Sequence, residues 1–100
     1  NYLVFSGIGN HKTFVEMLKN NKLKIVSDLE YPDHYQYSKK DFDEIMINAK
    51  KNNAHIITTE KDYLRLENFR RNEILYIKSS INILDEKSFT NKLNELNEKN

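Results

Sequence analysis

The chain has 100 residues, of which 38% are hydrophobic, and it carries a formal net charge of +1 at pH 7. This length suggests one domain, and this composition excludes a disordered or a membrane-spanning chain, since no apolar run approaches the roughly 20 residues that cross a bilayer. The near-zero net charge gives no general attraction to nucleic acid. Without cysteine the chain forms neither disulfides nor thiolate metal sites.

The first part of the chain predicts two strands with a helix between them. An apolar run at residues 3–8 is typical of a buried strand, and Asn10 is a suitable cap for the amphipathic helix that follows it. Residues 23–31 predict a second strand, which Pro32 ends because proline has no N–H to donate. The chain starts without methionine and directly in an apolar segment, so we expect a piece cut from a longer chain.

The clearest helix begins after Ser38. Asp41 lies three residues further on, as in a capping box, and the apolar residues that follow recur at i, i+3, i+4 and i+7. Residues 54–59 are β-branched and apolar and predict a third strand. Residues 61–69 predict a short helix whose Leu64 points inward.

The remaining elements complete an alternating pattern. Residues 73–78 predict a fourth strand and residues 81–84 a brief fifth one, after which Asp85 caps a last helix. The apolar face of that helix would consist of Phe89, Leu93 and Leu96. Alternating strands and helices predict an α/β fold in a single domain over residues 1–100. We expect three layers: a mainly parallel sheet of four to five strands with helices on both faces.

Polar segments follow directly on three of the predicted strands. They are SGIGN at 6–10, YPDHYQY at 31–37 and TTEKD at 58–62. In an open parallel sheet, ligands bind beyond the carboxyl ends of the strands, so we expect these segments to meet at one edge. The segments at the opposite edge, NNK, KKNN and RRNE, are typical of solvated turns.

Two of these segments have both a structural and a functional interpretation. Gly7 and Gly9 can cradle an anion with backbone N–H groups, but they also suit a tight strand-to-helix turn, and the GK[ST] of a P-loop is missing. In TTEKD, Thr59 can cap a helix whose first turn favours acidic residues. Lys61 is harder to explain there, because a cation is unfavourable at a helix N-terminus unless it faces an anion.

YPDHYQY is the best candidate for chemistry. His34 stands in a loop, where functional residues concentrate, and histidine is the side chain that titrates nearest neutral pH. The alternative is an Asx-type turn at Asp33 with an exposed histidine. His11 and His55 look ordinary, one near a helix start and one at a strand edge, and three scattered histidines argue against a zinc site.

A basic cluster ends the third helix. Arg65, Arg70 and Arg71 could meet phosphate, although a solvated helix end explains them better.

Together, the three segments resemble the C-terminal part of one family, the tetraacyldisaccharide 4'-kinases of lipid A (lipopolysaccharide) biosynthesis in Gram-negative bacteria. The resemblance is carried by SGIGN followed by a Phe-bearing helix, then YPDHYQYS, then TTEKDYLRL, in this order and spacing. It covers essentially the whole chain. No single segment would be specific, but the three together are.

The resemblance implies a two-domain P-loop kinase at the cytoplasmic face of the inner membrane. Such an enzyme transfers the γ-phosphate of ATP to the 4'-hydroxyl of a tetraacylated glucosamine disaccharide, assisted by Mg²⁺. The N-terminal domain would carry the P-loop and bind ATP and Mg²⁺, and no cofactor is expected in this chain. This smaller, soluble C-terminal domain would close over the cleft, and alone it is expected to be inactive.

The implied partners are the missing N-terminal kinase domain and the lipid A disaccharide precursor, with no nucleic acid. A surface shaped for the missing domain would be left bare, which leaves self-association of the fragment open.

The resemblance also assigns residues. The histidine of the family's Pro-Asp-His motif falls on His34, which is expected to activate the sugar hydroxyl with an aspartate of the N-terminal domain. Asp33 is expected to orient the loop or contact the partner domain, and it joins His34 in the catalytic set. The expected substrate or domain-interface residues are Thr58, Thr59, Glu60, Lys61 and Asp62, which match the family's Thr-Thr-Glu-Lys-Asp, together with Gly7, Gly9 and Asn10. No metal ligand is assigned.

The chain departs from the family pattern at two positions. His11 stands where the family usually has proline. This difference makes the start of the helix less rigid but removes no reactive group. Tyr35 stands where the family often has a second histidine. This difference argues against a proton relay through two histidines, but not against a single histidine base.

Two other functions stay open from the sequence. The chain could be a non-catalytic α/β module that binds a nucleotide or a partner through the same edge. A receiver-like signalling domain ranks lower, because the third strand ends in threonines rather than in an acidic cluster.

Overall fold

The computed structural model describes residues 1–78 of the chain. The elements are β1 (Tyr2–Ser6), α1 (His11–Asn20), β2 (Ile25–Glu30), α2 (Lys39–Lys51), β3 (His55–Thr59), α3 (Glu60–Leu64) and β4 (Ile74–Ile77). No helix within these residues is long and apolar enough to cross a membrane. The strand predicted at 81–84 and the helix predicted after Asp85 lie outside the described residues.

The four strands of the described chain form one parallel sheet, in the order β2-β1-β3-β4. Parallel strands need crossover connections: α1 connects β1 to its neighbour β2, and α2 connects β2 to β3, which pairs with the other side of β1. The predicted α/β class with a parallel sheet is therefore confirmed. Because the strands are parallel, their carboxyl ends lie at one edge of the sheet.

Side chains alternate across the central strand β1, so this strand contributes to two cores. Leu3 and Phe5 join the core that contains the buried face of α2. Val4 joins the core that contains the buried face of α1. The sheet is thus covered on both faces, as the alternating sequence pattern predicts.

The capping box at the start of α2 is present as predicted. The Ser38 hydroxyl accepts a hydrogen bond from the Asp41 amide at 3.1 Å, and the Asp41 carboxylate accepts one from the Ser38 amide at 2.9 Å. Tyr35 also donates its hydroxyl to the Asp41 carboxylate at 2.8 Å. The bond from the Ser38 backbone is the main reason that the pKa of Asp41 lies below its ordinary value.

Two local predictions differ from the structure. Asn10 occupies the N-cap position of α1, but its side chain makes no capping hydrogen bond. Leu64 was expected to point inward and is 58% exposed, whereas Leu66 is fully buried. The helical period fails here because α3 ends at Leu64 and a tight turn follows, in which the Leu66 amide donates to the carbonyl of Tyr63.

Candidate functional site

The three polar segments meet at the backbone of Gly7, through its amide and its carbonyl group. The Gly7 amide donates to the Asp62 carboxylate at 2.9 Å. The Gly7 carbonyl accepts from the His34 amide at 3.0 Å and from Nη1 of Arg65 at 3.0 Å. Each loop thus contributes to one hydrogen-bonded junction at the carboxyl edge of the sheet.

Glycine is required at position 7 by the close approach of the second loop. A Cβ atom there would lie 2.9 Å from the Pro32 carbonyl oxygen and 3.2 Å from Cβ of Tyr35, and the first of these contacts is with rigid backbone. Gly9 differs, because a Cβ atom there would meet only the Asp33 carboxylate, at an ordinary 3.7 Å. The two glycines of SGIGN therefore have unequal roles.

Asp62 is the fully buried charge that holds the junction together. Its Oδ1 accepts from the Gly7 amide, from the Tyr37 hydroxyl at 2.8 Å and from Nη1 of Arg65 at 3.1 Å. Its Oδ2 accepts from the Thr59 hydroxyl at 2.6 Å. Burial, followed by the neighbouring Asp62 carboxylate, raises the pKa of Tyr37, so this hydroxyl remains a neutral donor. Several converging hydrogen-bond donors are what a buried carboxylate requires.

The other TTEKD residues divide between structural and exposed positions. Thr58 is fully buried and donates to the Phe5 carbonyl at 2.6 Å, which ties β3 to β1. Thr59 is the N-cap of α3, since its hydroxyl accepts from the Asp62 amide at 3.2 Å. Glu60 lies in the first turn of α3, and the exposed Lys61 lines a cleft beside the junction. The structure thus gives Thr58, Thr59 and Asp62 a clear architectural role.

His34 projects its ring outward from the junction. Its backbone has a left-handed φ of 59°, which the bond from its amide to Gly7 stabilises. Its side chain is 80% exposed. The Nδ1 atom lies 3.3 Å from Nη2 of Arg65, and the Nε2 atom lies 3.7 Å from the Asp33 carboxylate. An exposed imidazole on a tightly held backbone can reach a molecule or domain on this side of the sheet.

Stacked and edge-on aromatic rings stiffen the loop that carries His34. Tyr31 stacks on Tyr35 with ring centroids 4.9 Å apart, and Tyr37 meets both rings edge-on. Tyr37 also packs edge-on against Phe5 at 5.5 Å, so the loop is anchored in the core. The loop that carries His34 is therefore part of a larger packed structure.

A cleft of about 320 Å³ opens beside His34. Its polar lining includes Asn10, Asp33 and the cations Lys61, Arg65 and Lys78. Its apolar lining includes Phe14, Met17 and Ile77. Such a cleft suits an anionic or amphiphilic molecule. Within residues 1–78, no group of three or more His, Asp or Glu side chains could hold a metal ion.

His11, which looks ordinary in the sequence, is a buried structural residue. This side chain is 3% exposed, its Nδ1 is hydrogen-bonded to the Ser6 hydroxyl, and its Nε2 lies 2.5 Å from the Asp28 carboxylate. His11 thereby links the end of β1 to β2. The signal was available, because His11, Phe14, Val15 and Leu18 lie at helical spacing on the buried face of α1.

The basic cluster also behaves differently from the prediction. Arg65 is not a solvated charge: its side chain is 22% exposed and contacts Gly7, Asp62 and His34. Arg71 lies over the Tyr63 ring, 4.1 Å from its centroid, and donates to the Tyr63 carbonyl. Arg70 is exposed, as predicted. Sequence spacing did not distinguish these arginines, because their partners lie in other loops.

Comparison with known proteins points to a single family. The family described as Tetraacyldisaccharide-1-P 4'-kinase matches residues 1–98. A protein of Pelagibacter ubique (strain HTCC1062) named Tetraacyldisaccharide 4'-kinase is 86% identical over 100 residues, which are 100% of this chain and 32% of that protein. A protein of the same name from Rickettsia typhi is 44% identical over 94 residues, which are 89% of this chain and 29% of that protein.

A third relative of this name, from Rickettsia bellii, is 48% identical over 66 residues, which cover 66% of this chain and 21% of that protein. No solved structure matches the chain. The chain spans about a third of the length of the curated relatives, since it covers 32% of the Pelagibacter protein. From the match over nearly its whole length, the chain belongs to the Tetraacyldisaccharide-1-P 4'-kinase family.

Proposed function

We propose that this chain is the C-terminal domain of a kinase that transfers the γ-phosphate of ATP to the 4'-hydroxyl of a tetraacyl glucosamine disaccharide. In this proposal the domain closes over the cleft of an N-terminal P-loop domain and supplies His34 to the reaction. The observation that carries the proposal is the exposed ring of His34 at the junction of the three loops, in a chain of this family.

The role of His34 is that of a general base. Phosphoryl transfer depends mostly on positioning and on neutralising charge, and a base that takes the proton of the attacking hydroxyl adds perhaps 10²–10⁴-fold. The backbone of His34 is tied to Gly7, while its ring is free of the core, which suits a base that must meet a substrate arriving from outside this domain. Asp33, whose carboxylate lies 3.7 Å from Nε2, would help to orient the ring or contact the other domain.

The remaining predicted residues would hold this arrangement or face the ligand. Gly7, Thr58, Thr59 and Asp62 would keep the loops in register through the bonds described above. Lys61, which lines the cleft, would meet the negative charge of the phosphorylated disaccharide or of the nucleotide. Glu60, Gly9 and Asn10 would contribute to the same substrate or domain interface.

Mg²⁺ would neutralise phosphate charge in the complete enzyme. In this proposal its ligands, the P-loop and most ATP contacts belong to the N-terminal domain. Closure of one domain on the other would exclude water and bring His34 to the hydroxyl. The complete enzyme would act at the cytoplasmic face of the bacterial inner membrane. The surface that meets the N-terminal domain could pair two copies of this fragment when bare.

The test is ATP-dependent phosphorylation of the tetraacyl disaccharide by the full-length parent enzyme carrying His34→Ala. We expect kcat to fall by about a hundredfold or more, while the variant still folds. The matched control is His55→Ala, because His55 is also exposed but lies at the start of β3, on the opposite edge of the sheet.

Two outcomes would overturn the proposal. Near-normal turnover of His34→Ala would make YPDHYQY a structural loop, and it would favour a non-catalytic binding role for this edge. Phosphorylation of the disaccharide by residues 1–100 alone would contradict the division of labour between the domains.

A further inference from the structure

The guanidinium of Arg65 contacts three acceptors, one in each of the three loops. Its Nη1 donates to the Gly7 carbonyl at 3.0 Å and to the buried Asp62 carboxylate at 3.1 Å. Its Nη2 points to Nδ1 of His34 at 3.3 Å. One nitrogen therefore anchors the group in the protein, and the other presents an N–H to the exposed ring.

The hydrogen-bond roles in this contact depend on the tautomer of the ring. A guanidinium donates hydrogen bonds and never accepts them, so Nδ1 of His34 must be the acceptor and must be unprotonated. The proton of the neutral ring is then on Nε2, the atom that lies 3.7 Å from the Asp33 carboxylate. The ring thus has its lone pair on the Arg65 side and its N–H on the Asp33 side.

We propose that Arg65 is a positioning residue that holds His34 in this tautomer, so that Nδ1 is the atom that accepts the proton of the sugar hydroxyl. This inference rests on the proposed function and specifies how His34 would perform it. The incoming hydroxyl replaces Nη2 of Arg65 at Nδ1, while Nη1 keeps its bonds to Gly7 and Asp62. The N–H at Nε2 remains available to a carboxylate, which stabilises the imidazolium that forms.

The proposed step moves one proton to His34 and one phosphoryl group to the sugar. The O–H bond of the hydroxyl breaks and an N–H bond forms at Nδ1. The hydroxyl oxygen bonds to the γ-phosphorus of ATP, and the bond between that phosphorus and the bridging oxygen breaks, so that ADP leaves with the electron pair. The imidazolium then forms beside a guanidinium whose charge is already balanced by the buried Asp62 carboxylate.

An arginine is suited to this position where a lysine is not. The planar fork of arginine can bind the Gly7 carbonyl and the Asp62 carboxylate while a second nitrogen reaches the ring. A lysine ammonium is a single point charge, and it could replace the ion pair with Asp62 without also holding Nδ1. Arg65→Lys therefore separates the anchoring role from the contact with His34.

The direct test is NMR of the full-length protein labelled with ¹⁵N in its histidines, without ligand and above the pH at which the ring is protonated, with His34→Ala used to assign the signals. We expect His34 to show Nδ1 with a shift typical of an unprotonated nitrogen and Nε2 with a shift typical of a protonated one. In Arg65→Lys we expect averaged shifts, because both tautomers become populated. A proton on Nδ1 in the unsubstituted protein would overturn the inference.

The kinetic test is a double-mutant cycle in the same full-length enzyme. Arg65→Lys should lower kcat about tenfold when His34 is present, and it should have little further effect on His34→Ala, because coupled residues are not additive. Arg70→Lys is the matched control, since Arg70 is an exposed arginine that follows the turn after α3. If the losses of kcat in the two single variants multiply in the double variant, Arg65 does not act through His34.

These readouts separate the inference from the proposed function. Normal turnover of His34→Ala would refute His34 as the base, whatever the tautomer is. A large loss in His34→Ala together with a proton on Nδ1 would refute only the role of Arg65. If Arg65→Lys does not fold, a proton on Nδ1 of His34 in the unsubstituted protein would still refute the role of Arg65.

Discussion

Oδ1 of Asp62 lies 2.9 Å from the amide nitrogen of Gly7, although 55 positions separate the two residues in the chain. This bond joins the loop after β3 to the loop after β1, and the carbonyl of the same glycine accepts from the amide of His34 in the loop after β2. The geometry of the candidate site therefore depends on a backbone unit and a buried carboxylate that need not touch any substrate.

Gly7→Ala should destabilise the protein, because its Cβ would lie 2.9 Å from the Pro32 carbonyl oxygen, a backbone atom that cannot easily move. We expect a loss of about 1–3 kcal/mol in the free energy of unfolding, as for other overpacked positions. Denaturant unfolding of the full-length protein would measure it. Gly9→Ala is the control, since its nearest contact would be an ordinary 3.7 Å, and an equal loss in both variants would contradict the steric argument.

Asp62→Asn should be more damaging than any exposed acid substitution. It removes the charge opposite Arg65, and at a fully buried position it puts an NH₂ donor where a carboxylate oxygen accepted hydrogen bonds. Removing one partner of a buried ion pair costs about 3–5 kcal/mol. Thermal unfolding of the full-length protein would measure the loss. Asp43→Asn is the control, because Asp43 is half-exposed and pairs with Lys39 on the surface. A similar unfolding midpoint for the two variants would argue against Asp62 as the anchor of the junction.

His11→Ala should cost about 1–3 kcal/mol, because it leaves the buried Ser6 hydroxyl without its ring partner. The companion variant is Ser6→Ala in the same background. Removing the stranded hydroxyl should recover part of the loss, since replacing both partners of a buried hydrogen bond costs less than removing one. Stability that falls additively in the double variant, measured by denaturant unfolding, would contradict this coupling.

The capping box of α2 should make stability depend on pH at the acidic end. The pKa of Asp41 is lowered in the folded state, chiefly by the hydrogen bond from the Ser38 backbone, from an ordinary value of 3.8. A depressed carboxyl pKa contributes stability that is fully present above the unfolded value and is lost as pH falls through the folded value. We therefore expect Asp41→Asn to narrow the stability difference between pH 6 and pH 3.

The measurement is the unfolding midpoint of the full-length protein and of Asp41→Asn at both pH values, with Asp43→Asn as the exposed control. Ser38→Ala should itself cost about 0.5–2 kcal/mol at pH 7, as the loss of an N-cap does elsewhere. An unchanged pH dependence in Asp41→Asn would show that this carboxyl is not linked to folding.

The sequence by itself determined the order of strands and helices and the edge at which the polar segments gather. Hydrophobic periodicity, the Ser38–Asp41 box and the β-branched run at 54–59 are local signals, and local backbone preferences suffice to interpret them. Once the strands are parallel, three loops must leave from the same edge, so the location of the candidate site followed from topology.

Only the tertiary structure decided which polar side chains are buried and what they bind. Asp62, His11 and Arg65 find their partners in other loops and strands, and such contacts have no fixed spacing along the chain. The exposure of Leu64, which was expected to point inward, has a similar cause. The end of a five-residue helix and the turn after it set the direction of the side chains, so Leu66 is buried instead and helical periodicity does not apply. Burying a charge is favourable only with several donors arranged in space, and that arrangement exists only after folding.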